Sequence, residues 1–321
     1  KRLIAVLAED GEVLCTGAAE LDDGLVESAL VLAHSADEAD AEGTADDAGS
    51  YAEMEAMPSM ALALEATAAF ASVPSDESAD KAIALAGAVF SVLSRSACVA
   101  REGIALHDSG AWRKAVRTIG AAMVCGALRR ERRSALHACW QRLISLCPRG
   151  GTRAAALEAL CVRDADNARA LPPPAAALAL KRLKDEACAE WAIVRRAPNE
   201  DGGDFVAVDS ALRRAVGDAL LPPRGGLPAL PHDLDVVLGA LNALRFALVR
   251  QGDESEHRWD AAVAKDWLRA ARSALDGAQA VAAASADSTD PDDIATARAA
   301  SGASALQEAL TAAEETLERR R

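Results

Sequence analysis

The residues able to do chemistry are few, and their spacing does not suit it. Seven cysteines stand at positions 15, 98, 125, 139, 147, 161 and 188, and five histidines at 34, 107, 137, 232 and 257. His137 with Cys125, Cys139 and Cys147 is the one grouping that invites a metal, because imidazole and thiolate are zinc ligands. Its spacing matches no zinc arrangement, and its members fall in apolar helical patterns where Cys packs as a small hydrophobe. No metal and no cofactor is expected. No Gly-x-Ser-x-Gly elbow, phosphate-binding Gly loop, dinucleotide fingerprint or His-Glu-x-x-His pair occurs. An enzyme would need a constellation assembled by folding alone. The expectation is a protein that holds a partner.

The elements that must position any binding surface are helices. Aromatic residues make up 3% of the 321, and alanine dominates the rest. Ala loses no side-chain entropy in a helix, whereas the β-branched and aromatic runs that a sheet needs are nearly absent. Helices are expected at about 52–73, 79–100, 110–129, 131–147, 152–162, 172–196 and 205–220, then from about 232 to 250, around Trp267 and over 305–320. The Cys147-Pro148-Arg149-Gly150-Gly151 run breaks the series, because Pro and paired Gly do not continue a helix. Pro172-Pro173-Pro174 can open the next long helix, whose apolar face carries Leu180, Leu183, Ala187, Trp191 and Val194. Amphipathic helix pairs at roughly 40-residue intervals predict an all-α, HEAT/armadillo-like helical-repeat solenoid. The expected organisation is N-terminal helices over 1–35, an acidic linker over 36–50, helical repeats over 51–200, and C-terminal repeats over 201–321.

Charge divides unevenly. The net charge is −14, and residues 1–60 hold fifteen acidic side chains against Lys1 and Arg2. The other 261 residues are therefore close to neutral, which argues against nucleic acid as a partner, since that would call for a basic field. The cluster Arg129-Arg130-Arg132-Arg133 reads as solvated charge near a helix end. Its alternative is a site for an acidic segment such as residues 36–50. The longest apolar run, Ala82 to Ser94, has thirteen residues. That is too short to cross a bilayer and marks a buried helix, so no membrane association is expected. Free cysteines, with no signal peptide and no Asn-x-Ser/Thr site, point to a reducing cytoplasmic or nuclear compartment. The chain opens at Lys1 without a methionine, which leaves room for residues upstream.

Residues 221–250 read LPPRGGLPALPHDLDVVLGALNALRFALVR. A rigid Pro-Pro-x-Gly-Gly loop and Leu-Pro precede a helix containing Ala240-Leu241-Asn242 and Arg245-Phe246. This block resembles the C-terminal signature of the glomulin family. Asp266-Trp267-Leu268-Arg269-Ala270-Ala271-Arg272 is similar to the family's Trp-Leu-x-Pro-Leu-Arg stretch, and Ala305 to Arg320 to its closing helix. Leu227, Ala243-Leu244 and the missing Pro of the Trp267 block depart from the pattern. The resemblance covers about 140–321. It implies a HEAT-like solenoid whose C-terminal part grips the RING domain of the RING-box subunit of cullin–RING ubiquitin ligases, masking the surface where the ubiquitin-conjugating enzyme docks. A general helical scaffold with another client is the alternative.

Six residues are the candidate contacts. At 100° per residue, Arg245 falls inside the apolar stripe of its helix beside Leu234, Leu238 and Leu241, so it reads as a structural Arg or a partner-contacting one. Asn242 lies just off that stripe. Lys265, Arg269 and Arg272 share one face of the next helix, opposite Val263, Trp267, Ala270 and Ala274, as a solvated face or a basic ridge for an acidic partner. Trp267 and Trp259 read as packing residues or interface anchors.

Overall fold

A computed structural model describes residues 48–95, 109–196, 203–222, 233–250, 259–284 and 291–319. The described residues form ten α-helices and no strand: α1 (Ala48–Ala71), α2 (Asp76–Arg95), α3 (Gly110–Ala122), α4 (Arg130–Ser145), α5 (Gly151–Cys161), α6 (Pro173–Arg196), α7 (Gly203–Leu220), α8 (Leu234–Arg250), α9 (Ala261–Ala284) and α10 (Pro291–Glu318). The fold is all-α, as the composition predicts. The expected N-terminal helices over 1–35, and residues 36–47 of the expected acidic linker, lie outside the described residues. Ala48 to Ser50, assigned to that linker, open α1 instead.

Two compact units divide the chain at Pro148/Arg149. The division coincides with the Pro148–Gly151 break, and α6 and α7, on either side of residue 200, pack on each other within the second unit.

In the first unit α1 pairs with α2 and α3 with α4, while α1 lies against α3 and α2 against α4. Local chemistry sets the helix starts. Ser109 Oγ accepts the Trp112 N–H at 3.1 Å, and Ser75 Oγ accepts that of Ser78 at 3.2 Å, each occupying an otherwise orphaned first-turn donor. Two indoles lock α3 to α4: Trp112 Nε1 donates to the Leu143 carbonyl at 3.1 Å, and Trp140 Nε1 to that of Val116 at 3.2 Å. Around them Ile119, Leu136, Leu143 and Ile144 are fully buried. The run from Ala82 lies in α2, which buries Ala82, Leu85, Ala86, Val89 and Phe90. No helix among the described residues is long and apolar enough to cross a membrane.

The second unit has the same grammar over three helix pairs. Neighbours pair as α5–α6, α7–α8 and α9–α10; α5, α7 and α9 form one layer, and α6, α8 and α10 the other. Each helix thus meets its hairpin partner and its equivalents one pair away, which is how helical repeats stack. Two elements fix the joins. Gly150 adopts φ +80°, where a side chain would be strained and would also collide with Asp204. The freed space lets Asp204 Oδ1 accept the Gly151 N–H at 3.0 Å at the start of α5. Arg163 and Arg169, from the α5–α6 connection, reach Asp218 near the end of α7 and Asp233 at the start of α8. Arg163 Nη2 to Asp233 Oδ2 and Arg169 Nη1 to Asp218 Oδ2 are both 2.9 Å. Arg163 also donates to the Asp218 carbonyl at 2.6 Å, closing the C-terminus of α7.

Candidate functional site

The six residues expected to meet a partner divide between the two layers of the second unit. Asn242 and Arg245 lie on α8; Lys265, Trp267, Arg269 and Arg272 lie on α9. Helix α8 buries Val236, Val237, Ala240, Leu241, Ala243, Leu244, Ala247 and Leu248. This places its buried arc to one side of the stripe drawn from leucines alone. Leu234 and Leu238 are only half-buried, and Arg245 is exposed. The expectation that Arg245 sits inside the apolar stripe is therefore corrected, because three buried alanines, Ala240, Ala243 and Ala247, carry part of the contact and move its centre away from Leu238.

What remains outward on α8 is a ridge at i, i+4, i+7 and i+11: Leu238, Asn242, Arg245 and Val249. Val249 is 64% exposed, the most exposed of the large apolar side chains among the described residues. Beside the ridge, Phe246 stacks on Trp191 of α6 with ring centroids 5.6 Å apart and planes 6° from parallel. Lys184 and Arg250 each approach the same ring at 5.5 Å from its centroid. Phe246 is therefore held in place by stacking and two cation–π contacts, and the ridge rests on a rigid base.

The α9 face needs correction by about one residue. Its buried positions are Ala264, Leu268, Ala271 and Leu275, whereas Val263 is 42% exposed and Trp267 and Ala270 are half-buried. The three cations do not make one free basic ridge. Arg269 pairs with Asp266 on its own helix at 2.8 Å, and half-buried Arg272 pairs with Glu314 of α10 at 2.6 Å. Lys265 is exposed.

Trp267 instead lines an open groove of about 370 Å³ with Trp259, Val263 and Asp260 on one side and Arg213, Arg214, Gly217, Asp218 and Leu221 on the other. Its floor is built from α7 outward. Buried Asp209 accepts Trp259 Nε1 at 3.0 Å and pairs with Arg213 at 2.7 Å, while Arg213 also lies 5.5 Å from the Trp259 ring centroid. Trp267 meets Trp259 edge to face, with centroids 5.9 Å apart at 90°. A Cβ on Gly217 would stand 3.0 Å from Trp267 Cζ2, so this seat requires glycine or a displaced indole. The Asp209–Trp259 link joins residues 50 apart, and no local sequence signal announces it.

Most charges around the groove are committed within the chain. Arg214 holds Glu158 of α5 at 2.7 Å through Nη2, a hydrogen bond that keeps its guanidinium above the usual Arg range. Asp218 is engaged by Arg163 and Arg169. The Arg129–Arg133 cluster of α4 is partly absorbed in the same way by α2, with Arg129 on Asp76 at 2.8 Å and Arg132 on Asp80 at 2.9 Å.

No group of three or more His, Cys, Asp and Glu side chains among the described residues could hold a metal. Burial pushes the thiols of Cys139, Cys161 and Cys188 above the usual range, which suppresses the nucleophilic thiolate. Burial also raises the carboxyl of Glu190, helped by the nearby charges of Asp204 and Glu186.

Fold and surface together define a helical-repeat protein whose C-terminal pairs present an outward ridge and a tryptophan-floored groove. No protein-family model matches the chain. Over 53 residues it is 45% identical to the Aberrant root formation protein 4 of Arabidopsis thaliana, a stretch that spans 16% of this chain and 8% of that protein.

Proposed function

We propose that this protein is a glomulin-like binding protein that masks the RING domain of a RING-box subunit and so inhibits ubiquitin transfer by cullin–RING ligases. The observation that carries the reading is the α8 ridge. Asn242 and Arg245 come from the block that resembles the family, lie outward beside exposed Val249, and make no bond within the described structure. The local identity with the plant protein supports the same family. A stable interface of this kind needs on the order of 1,200–2,000 Å² of total buried surface, more than one ridge offers. The outward faces of α6 and α10 beside α8 would supply the remainder. Masking needs no chemistry: a bound solenoid excludes the conjugating enzyme sterically.

The test is a reconstituted ubiquitination assay with a neddylated cullin–RING-box complex, run with increasing amounts of the full chain. Ubiquitin transfer should fall to background at saturation, and Arg245→Glu should restore it. Undiminished transfer at saturating protein would sink the proposal.

A second reading, a helical scaffold for another client, is favoured by the separation of the six residues onto two layers. Affinity capture that returns a stable partner set without a RING-box subunit would support it.

A further inference from the structure

The α8 ridge starts one step before Leu238, at Asp235. Asp235, Leu238, Asn242, Arg245 and Val249 follow one another at spacings of three, four, three and four residues. Leu238 is half-buried and the other four are exposed. A 3-4 alternation keeps one edge of a helix turned toward a neighbouring helix over its whole length, which is the spacing of a coiled-coil seam. The occupant that fits such an edge is another helix. Asp235, Asn242 and Arg245 make no side-chain bond among the described residues, so nothing on the ridge need be broken to seat it.

The order of the charges selects which helix. Asp235 and Arg245 stand ten residues apart, about 15 Å at 1.5 Å per residue, with the acid nearer the start of α8. Ala240 lies midway between them, and also midway between Leu238 and Asn242. A second copy of the ridge, laid antiparallel about a two-fold axis at Ala240, sets each Asp235 against the partner's Arg245. The same operation sets each Leu238 against the partner's Asn242. A parallel copy in register would oppose acid to acid and base to base, which costs affinity. Antiparallel helices also bring opposite dipole ends together. The ridge is thus complementary to itself in one orientation, as an interface with two-fold symmetry requires.

We propose that the α8 ridge seats a second copy of this chain, antiparallel, as a reversible homodimer. A polar Asn in a helix seam fixes register at the expense of stability, and Asn242 takes that place here. One helix from each copy offers less than the roughly 1,200 Å² at which stable interfaces begin, so the dimer is weak. The inference rests on the spacing and charge order of the ridge and not on the RING reading. Because the proposed RING surface includes the same ridge, dimer and RING complex exclude each other, and the dimer holds the binding surface in reserve.

Sedimentation equilibrium of the full chain alone tests this without any RING-box subunit, so its failure and that of the RING reading are separable. The weight-average mass should climb from 33.3 kDa toward twice that value as the concentration rises. The series runs at low ionic strength to about 1 mM, the weak end of specific association. Asp235→Arg and Arg245→Asp each oppose like charges at both ends of the seam and should weaken association at least tenfold. Both change exposed positions, and helical circular dichroism confirms that each variant is folded. An equimolar mixture of the two should associate at least as strongly as wild type, because every facing pair is then opposite in sign. The chain carrying both substitutions should recover association for the same reason. A wild type that stays monomeric throughout, single variants that associate as wild type does, or a mixture no stronger than either variant alone would each overturn the proposal.

Discussion

The ridge of α8 and the groove between α7 and α9 are both candidate contact surfaces, yet they differ in how far their polar groups are already spoken for. In the groove, Asp209 serves Trp259 and Arg213, Arg214 serves Glu158, and Asp218 serves Arg163 and Arg169. On the ridge, Asn242 and Arg245 face outward with Val249, above a stacked Trp191–Phe246 base. A partner meeting the groove would have to displace internal bonds. A partner meeting the ridge would break no side-chain bond of Asn242 or Arg245 among the described residues. On the proposed reading the groove serves cohesion of the repeats and the ridge serves recognition, and that division can be broken at several points.

The largest effect is expected at Asp233, which joins the groove side to the start of α8. Asp233→Ala leaves Arg163 and Arg169, each almost wholly buried, without a carboxylate that both engage. Removing one partner of a buried ionic network costs about 3–5 kcal/mol, so chemical denaturation should show a loss of that size. A loss below 1 kcal/mol would mean that Asp218 alone satisfies both guanidinium groups.

Next come two leucines six residues apart on α8. Leu244 is fully buried, and Leu244→Ala should destabilise the protein by about 2–5 kcal/mol. Leu238 is half-buried on the ridge, so Leu238→Ala should cost distinctly less. Equal losses at the two sites would put the ridge inside the core. On the groove side, Gly217→Val drives a side chain into the Trp267 indole, for a loss of about 1–3 kcal/mol and a changed tryptophan emission.

Arg245→Glu and Asn242→Ala should leave stability within about 0.5 kcal/mol, because both side chains are exposed and make no side-chain bond among the described residues. Their effect belongs to binding. Calorimetric titration against the RING-box subunit should weaken by at least tenfold for Arg245→Glu, while Arg269→Glu, on the opposite layer, should change little. The reverse ranking would move recognition to α9.

These assignments mark where the sequence was legible. Ser109, Pro172–Pro173 and the Pro148–Gly151 break are local signals, and the helices begin where those residues place them. The phase of α8 and α9 was less legible. Reading size as burial set Val263 and Leu238 inward, but closely packed helices bury alanine first, and Ala240, Ala247, Ala264 and Ala271 are the residues at the contacts. An Ala-rich helix has an apolar arc so wide that its sequence hardly fixes which part faces the neighbour. That is why Arg245 came out of the stripe and Trp267 moved to the groove wall. The carboxylates that bind Arg213, Arg214 and Arg272 come from other turns or other helices, and Glu158 and Glu314 lie 56 and 42 residues away in the chain. Only the folded stack could reveal that these cations are committed.

The smallest effect tests the charge side of the same stack. Glu190 on α6 has its carboxyl raised by burial and by the like charges of Asp204 and Glu186. Its proton is thus held more tightly in the folded than in the unfolded chain. By linkage, its contribution to stability is fully present below the ordinary carboxylate value and is lost as pH rises through the raised one. At neutral pH the ionised side chain therefore opposes folding slightly, and Glu190→Gln should raise the melting temperature. The gain should shrink steadily as pH falls from 7 toward and below the ordinary carboxylate range, where the side chain becomes protonated and the charge difference from the variant disappears. A gain that stays constant across that range would show that the amide packs better than the acid, and that the cluster of Glu186, Glu190 and Asp204 exerts no electrostatic strain on α6.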